Sequence, residues 1–128
     1  MGIFDWLGRS GTKARKPQVV SVIDAQAREH AGSLTIVDVR MPQEWAATGL
    51  PEGAKGVTLG TPEFADALAE LSAAHPSKTL AMFCKSGMRS KKAAKIAKAH
   101  GLDRVEIVAG GMEAWTKAQL PTTPFETA

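Results

Sequence analysis

The hydrophobic positions change period along the chain, and each change predicts an element. Residues 1–17 carry one short apolar patch, Ile3, Phe4, Trp6 and Leu7, followed by a polar, Gly-containing stretch that ends at Pro17. That composition predicts a flexible arm. From Val19 to Val22 the residues are β-branched and predict a short strand. Residues 23–32 predict a helix closed by Gly32. Leu34, Ile36, Val37 and Val39 form a nearly continuous apolar run, the signature of a parallel strand covered on both faces. Residues 42–48 predict a short helix with Pro42 in its first turn, 49–56 a loop, and 57–59 a brief strand. Residues 62–75 are amphipathic, with Phe64, Leu68 and Leu71 on one helical face. A second buried strand follows at 79–83, then a helix of good formers at 90–100 that stops at Gly101. A strand at 105–108, a helix at 111–119 and a proline-broken tail complete the chain. Strands alternate with helices throughout. The prediction is a three-layer α/β fold, a mainly parallel central sheet with helices on both faces, formed by residues 18–128 behind the arm.

Such a sheet binds ligands at the carboxyl ends of its strands. Two strands present polar residues there: the first buried strand offers Asp38 and Arg40, and the second runs into Cys84. Cys84 is the only cysteine of the 128 residues. An internal disulfide framework and an intramolecular resolving thiol are therefore excluded. A reducing, cytoplasmic location is the simplest expectation. The start of the chain lacks the order of charge and apolar residues that marks a secretory signal, and no apolar run is long enough to span a bilayer. Net charge is +3, with much of the positive charge in two clusters, Lys13–Lys16 and Lys85–Lys98. No aromatic residues are interleaved with them, so nucleic acid is not the expected partner; a small anion near the second cluster is. His30, His75 and His100 fall at predicted helix ends, where capping or solvent contact is expected and metal binding is not.

The Cys84 corner reads as a reactive site. The thiol stands between a strand and a helix, in the stretch Cys84-Lys85-Ser86-Gly87-Met88-Arg89-Ser90. Gly87 permits the positive φ that a tight turn needs. Backbone N–H groups of such a turn form an anion-binding nest, and the helix dipole adds positive potential. Lys85 and Arg89 add full charges. All of these favour thiolate over thiol and lower the Cys84 pKa. Ser90 is expected to cap the helix. Met88 is expected either at an apolar rim or as a gap filler. Asp38, if buried, needs a cation, with Arg40 and Arg89 as the candidates. Glu44 is expected on the surface of its helix and Trp45 in the core.

This stretch resembles the active-site loop of the rhodanese family, Cys-Arg-x-Gly-x-Arg-Ser. The likeness extends further. The segment with Asp38, Val39, Arg40, Glu44 and Trp45 is similar to the family's Asp-Val-Arg segment with its following Glu and aromatic residue. Residues 49–54 are similar to its Gly-His-Ile-Pro-Gly-Ala, with Leu50 in place of the His and Glu52 inserted before Gly53. Gly110, Gly111 and Trp115 match its closing Gly-Gly pair and Trp. The resemblance runs from about Val19 to Pro121 and excludes the arm.

The resemblance implies a rhodanese-like fold and sulfur transfer. Cys84 would take the outer sulfur of an anionic donor such as thiosulfate as a persulfide. A nucleophilic acceptor, cyanide or a thiol including a protein thiol, would remove it. Lys85, Ser86, Gly87, Met88, Arg89 and Ser90 would bind the donor, and Asp38 and Arg40 would support the loop. No cofactor is implied. Lys85 replaces the usual Arg and loses the planar fork that grips an oxyanion in two places. Two other readings stand beside this one. A sulfur-carrying or partner-binding regulatory module would use the fold with little turnover, and the apolar patch of the arm suits contact with a partner or second subunit. A cysteine phosphatase or arsenate reductase would place its Arg six residues after the Cys, whereas Arg89 is five after.

Overall fold

The structure is a computed structural model and describes residues 17–126. The arm therefore lies outside the described residues, apart from Pro17. The main sheet has five strands: β1 (Gln18–Val20), β2 (Leu34–Asp38), β4 (Lys55–Gly56), β5 (Thr79–Phe83) and β6 (Val105–Val108). Their order is β1-β6-β5-β2-β4 and every pairing is parallel. The helices are α1 (Val22–His30), α2 (Pro42–Thr48), α3 (Phe64–Ala74), α4 (Met88–Ala99) and α5 (Gly111–Lys117).

Alternation along β2 and β5 divides the core into two layers. Val37, Leu80 and Met82 face α3 and α4, meeting Leu68, Ala93, Ala94 and Ala97. Leu34, Ile36, Ala81 and Phe83 face α1 and α5, meeting Ala25, Met112 and Trp115. Both strands bury both faces, which is why their sequences run nearly continuously apolar. The alanines of α4 let that helix lie close to the sheet. Trp115 is fully buried, packs edge-on against Phe83 at 5.8 Å, and donates its indole N–H to the Pro121 carbonyl at 2.9 Å. The three-layer expectation holds.

Several local expectations do not. Ser21 ends the first strand early: its side chain accepts the Asp24 N–H at 3.1 Å, so Val22 opens α1. The strand expected at 57–59 lies instead at Lys55–Gly56, where two residues pair with Val37 and Asp38. Gly56 fits there because a side chain would overlap the Trp45 ring. The loop expected over 49–56 contains β3 (Leu50–Pro51), which pairs antiparallel with β7 (Thr122–Thr123) from the tail. A two-residue ribbon carries no periodicity, so only its tertiary partner reveals it.

The end of β5 is held by the start of α5. The Met112 N–H donates to the Cys84 carbonyl at 2.8 Å, and the Glu113 N–H to the Lys85 carbonyl at 3.1 Å. Gly111 has φ +53°, and a Cβ there would overlap the Cys84 carbonyl. Gly111→Ala is therefore expected to destabilise the fold by about 2–3 kcal/mol, from backbone strain and the displaced loop. Urea unfolding of the two proteins measures it; a loss below about 0.5 kcal/mol would show that the contact yields easily.

Candidate active site

Cys84 is the first residue beyond β5, where a parallel strand delivers its end to the mouth of the sheet. Gly87, with φ +129°, turns the chain into α4, and no side chain caps that helix. The turn is tight enough for the Gly87 N–H to reach back to the Cys84 sulfur at 3.0 Å. Burial pushes the Cys84 thiol up. The Ser90 hydroxyl and the N–H groups of Ser90, Gly87 and Ser86 outweigh it together and bring the thiol below its usual value. Each donor faces the place where a negative sulfur sits, and none must move to stabilise it.

Ser90 is thus not the cap expected from the sequence. Helix α4 begins two residues earlier, at Met88, and places Ser90 fully buried in its first turn. Its Oγ makes no hydrogen bond of ordinary geometry to any described atom. Lys85 and Ser86 are exposed, and Met88 is 79% exposed at the rim of the loop. A gap-filling role for Met88 is excluded by that exposure.

The two arginines have separate duties. Asp38 is completely buried and takes the Arg40 guanidinium through Nε at 3.0 Å and Nη2 at 2.9 Å. Arg40 Nη2 also donates to the Gly49 carbonyl at 3.1 Å, which fixes the chain after α2. Arg89 does not reach Asp38 as partner. It forms two parallel bonds to Glu44, at 2.7 and 2.9 Å. Glu44, expected on the helix surface, is instead the residue that holds the loop arginine, and its carboxylate also accepts the Met41 N–H at 3.1 Å. The signal that marks it is local: Glu three residues after the cap of a short helix commonly turns back to the cap N–H. Trp45 packs in the core as expected, edge-on to Phe125 at 5.2 Å.

Arg89 holds the Glu44 carboxyl at about 2, down from 4.5, against burial that pushes the other way. The depressed value fixes the sign of a pH effect. Stability from this pair is fully present above about pH 4.5 and is lost as pH falls toward 2. Wild type is expected to exceed Glu44→Gln by about 0.5–1 kcal/mol near neutral pH, since both groups are partly exposed. The gap should shrink through that acid window. Unfolding curves across it test this; a gap that stays constant with pH would mean the pair contributes nothing through ionisation.

Beside the loop lies a cleft of about 490 Å³, lined by Arg40, Glu44, Lys85, Met112 and Glu113 among others. His30 ends α1, and His75 and His100 follow the last turns of α3 and α4, as expected from sequence. Among the described residues no group of three or more His, Cys, Asp or Glu is placed to hold a metal ion.

The model of the Rhodanese-like domain matches residues 21–118. The chain belongs to the rhodanese-like family. That match covers both strands and both helices that build the Cys84 corner. A probable adenylyltransferase/sulfurtransferase, MoeZ of Mycobacterium tuberculosis, is 31% identical over 88 residues, 69% of this chain and 21% of that protein. The chain thus matches about one fifth of the length of this curated relative. The polysulfide-sulfur transferase homodimer of Wolinella succinogenes superposes with a TM-score of 0.67 at 28% identity, over 97% of this chain and 92% of that one. A Rhodopseudomonas palustris protein of unknown function, described as a possible tyrosine phosphatase, gives 0.67 at 26% identity over 96% and 95%. Sulfur transfer is the activity named for two of these relatives, the Mycobacterium and Wolinella proteins. Among the described residues no helix is long and apolar enough to cross a membrane.

Proposed function

We propose that this rhodanese-like protein is a sulfurtransferase that accepts a sulfane sulfur on Cys84 from an anionic donor such as thiosulfate and passes it to a nucleophile, cyanide or a thiol. The observation that carries the reading is the donor ring around the Cys84 sulfur: the Gly87 N–H at 3.0 Å, with the N–H groups of Ser86 and Ser90 and the Ser90 hydroxyl lowering the thiol. In the first step the thiolate attacks the outer sulfur of thiosulfate. An S–S bond forms at Cys84, the donor's S–S bond breaks, and sulfite leaves with the electron pair. In the second step the acceptor attacks the outer sulfur and the pair returns to Cys84. The charge moves one S–S bond outward when the persulfide forms and returns to the Cys84 sulfur in the second step, where the N–H donors stabilise the thiolate that leaves. The unpaired Ser90 hydroxyl is available to the outer sulfur. Lys85 and the other loop residues to Ser90 receive the donor, while Asp38 and Arg40 support the loop from below. One thiol suffices, because the transfer alternates between donor and acceptor. A reducing, cytoplasmic setting fits a thiol that works unprotected.

The test is the intact mass of the protein before and after thiosulfate, then after cyanide. The expected result is a gain of about one sulfur atom that cyanide removes. No gain on the folded protein would overturn thiosulfate as donor; polysulfide is then the donor to try. Phenyl phosphate, assayed in parallel, tests the phosphatase alternative. The five-residue step from Cys84 to Arg89 leads us to expect no hydrolysis.

A further inference from the structure

Two methionines and a ridge of lysines surround the mouth of the site. Met41 and Met88 are far apart in sequence, yet 47% and 79% exposed on the same rim. Glu44 joins them: one of its oxygens accepts both the Met41 N–H and an Arg89 N–H. From Met88 a stripe runs down α4 through Lys92, Lys95 and Ile96, spaced to share one helical face. Beside the stripe lies a groove of about 410 Å³. Its walls are Leu59, Pro62 and Phe64 on one side and Lys92, Ile96 and His100 on the other. The loop that carries Leu59 is fixed next to Met41, since Thr58 donates its hydroxyl to the Arg40 carbonyl at 2.9 Å. Met88 at the rim and the Lys92–Ile96 wall of the groove share one face of α4.

The lysines on it make no ion pair among the described residues, although Glu44 and Glu113 share the cleft with Lys85. The ion pairs among the described residues are Arg28–Glu106, Arg40–Asp38 and Arg89–Glu44. Lys85, Lys91, Lys92 and Lys95 have none, and all four are exposed. Lys91 and Lys92 stand in the N-terminal half of a helix whose dipole is already positive there, Lys95 follows one turn on, and the helix's first turn holds no acidic residue. The neighbouring carboxylates Glu63 and Asp66 are exposed but do not line the groove. A cationic margin around an apolar groove complements an acidic segment with an apolar anchor.

We infer that this face docks a protein partner that presents a thiol on an acidic segment, seating an apolar side chain between α4 and the Leu59–Phe64 loop while its thiol reaches Cys84. The inference rests on the sulfurtransferase reading and names the class of its acceptor. The transfer balances as R–SH + Cys84–S–S⁻ → R–S–SH + Cys84–S⁻: one S–S bond breaks, one forms, and no external oxidant or reductant is needed.

The test uses two short synthetic peptides that share one cysteine and one leucine and differ only in flanking glutamates or serines. Wild-type protein, loaded with thiosulfate, should pass sulfur to the glutamate peptide about tenfold faster than to the serine peptide at low salt. High salt should erase that advantage. Lys92→Glu/Lys95→Glu should erase it too, with transfer to cyanide retained. Ile96→Ser should slow both peptides. Equal rates for the two peptides overturn the inference. So does a proportional loss of cyanide transfer in the reversed variant, which would make the lysines a general field for any anion. So does a dimer of wild type that the reversal dissolves, which would make a second copy the occupant. Should the protein never load sulfur, the sulfurtransferase reading has failed and docking is read by itself. A fluorescent glutamate peptide with serine for cysteine should then bind wild type and not the reversed variant; failure to bind wild type overturns the docking.

Discussion

Cys84→Ser removes sulfur loading and reduces transfer by at least about a thousandfold while the fold persists. The reason lies in how the loop is built. Its N–H groups aim at one point, and the sulfur occupies that point. Serine fills it with a hydroxyl whose pKa lies far above working pH, so the donors have no anion to stabilise and no nucleophile forms. Stability should change little, because the substitution is nearly isosteric and the Cys84 backbone keeps its bond from Met112. Intact mass after thiosulfate, a cyanide-coupled transfer assay and thermal unfolding measure the three parts. Retained loading on the serine variant would move the chemistry away from Cys84 and end the mechanism proposed above. A collapse of thermal stability would show that the sulfur also packs the core.

Asp38→Ala is expected to cost about 3–5 kcal/mol, the largest stability effect in the molecule. Asp38 is fully buried and Arg40 is 2% exposed, and they face each other through three hydrogen bonds from the guanidinium. Removing the carboxylate leaves a buried cation without its counter-charge. A domain of this size holds only about 5–15 kcal/mol in total, so the variant should sit close to unfolding. Replacing the pair together, Asp38→Leu with Arg40→Met, should recover much of the loss, since the cost lies in the orphaned charge and not in the missing bond. Urea unfolding of the singles and the double decides it. If Asp38→Ala loses less than about 1 kcal/mol, or the double is worse than the single, the pair is not what holds the chain between β2 and α2.

Most of the architecture was legible because burial on both faces leaves a mark that needs no partner to read. Leu34, Ile36, Val37 and Val39 make a nearly continuous apolar run, and Leu80, Ala81, Met82 and Phe83 an unbroken one; each run became a central strand. Where the strand ended and glycine turned the chain, Cys84 had to emerge at the sheet mouth. Where structure and expectation differ, the reason is most often a partner distant in sequence. β3 and β4 are two residues long and exist through Thr122, Thr123, Val37 and Asp38, all distant in sequence. Ser90 looked like a cap because the sequence does not say that Gly87 already starts the helical turn. Glu44 looked like a surface residue because its partner, Arg89, lies 45 positions away.

The amino-acid sequence by itself determined the layers, the order of strands and helices, and the place of the single thiol. These follow from local propensity and from period, which act over a few residues at a time. The tertiary structure decided which cation serves which carboxylate. Arg40 goes to Asp38 and Arg89 to Glu44, because the turn after β2 buries Arg40 beside the aspartate while α4 carries the other out to α2. It also decided that Met41 and Met88 share a rim, with lysines beyond them. Pairings of this kind depend on distances closed only when the chain has folded, and no period in the sequence records them.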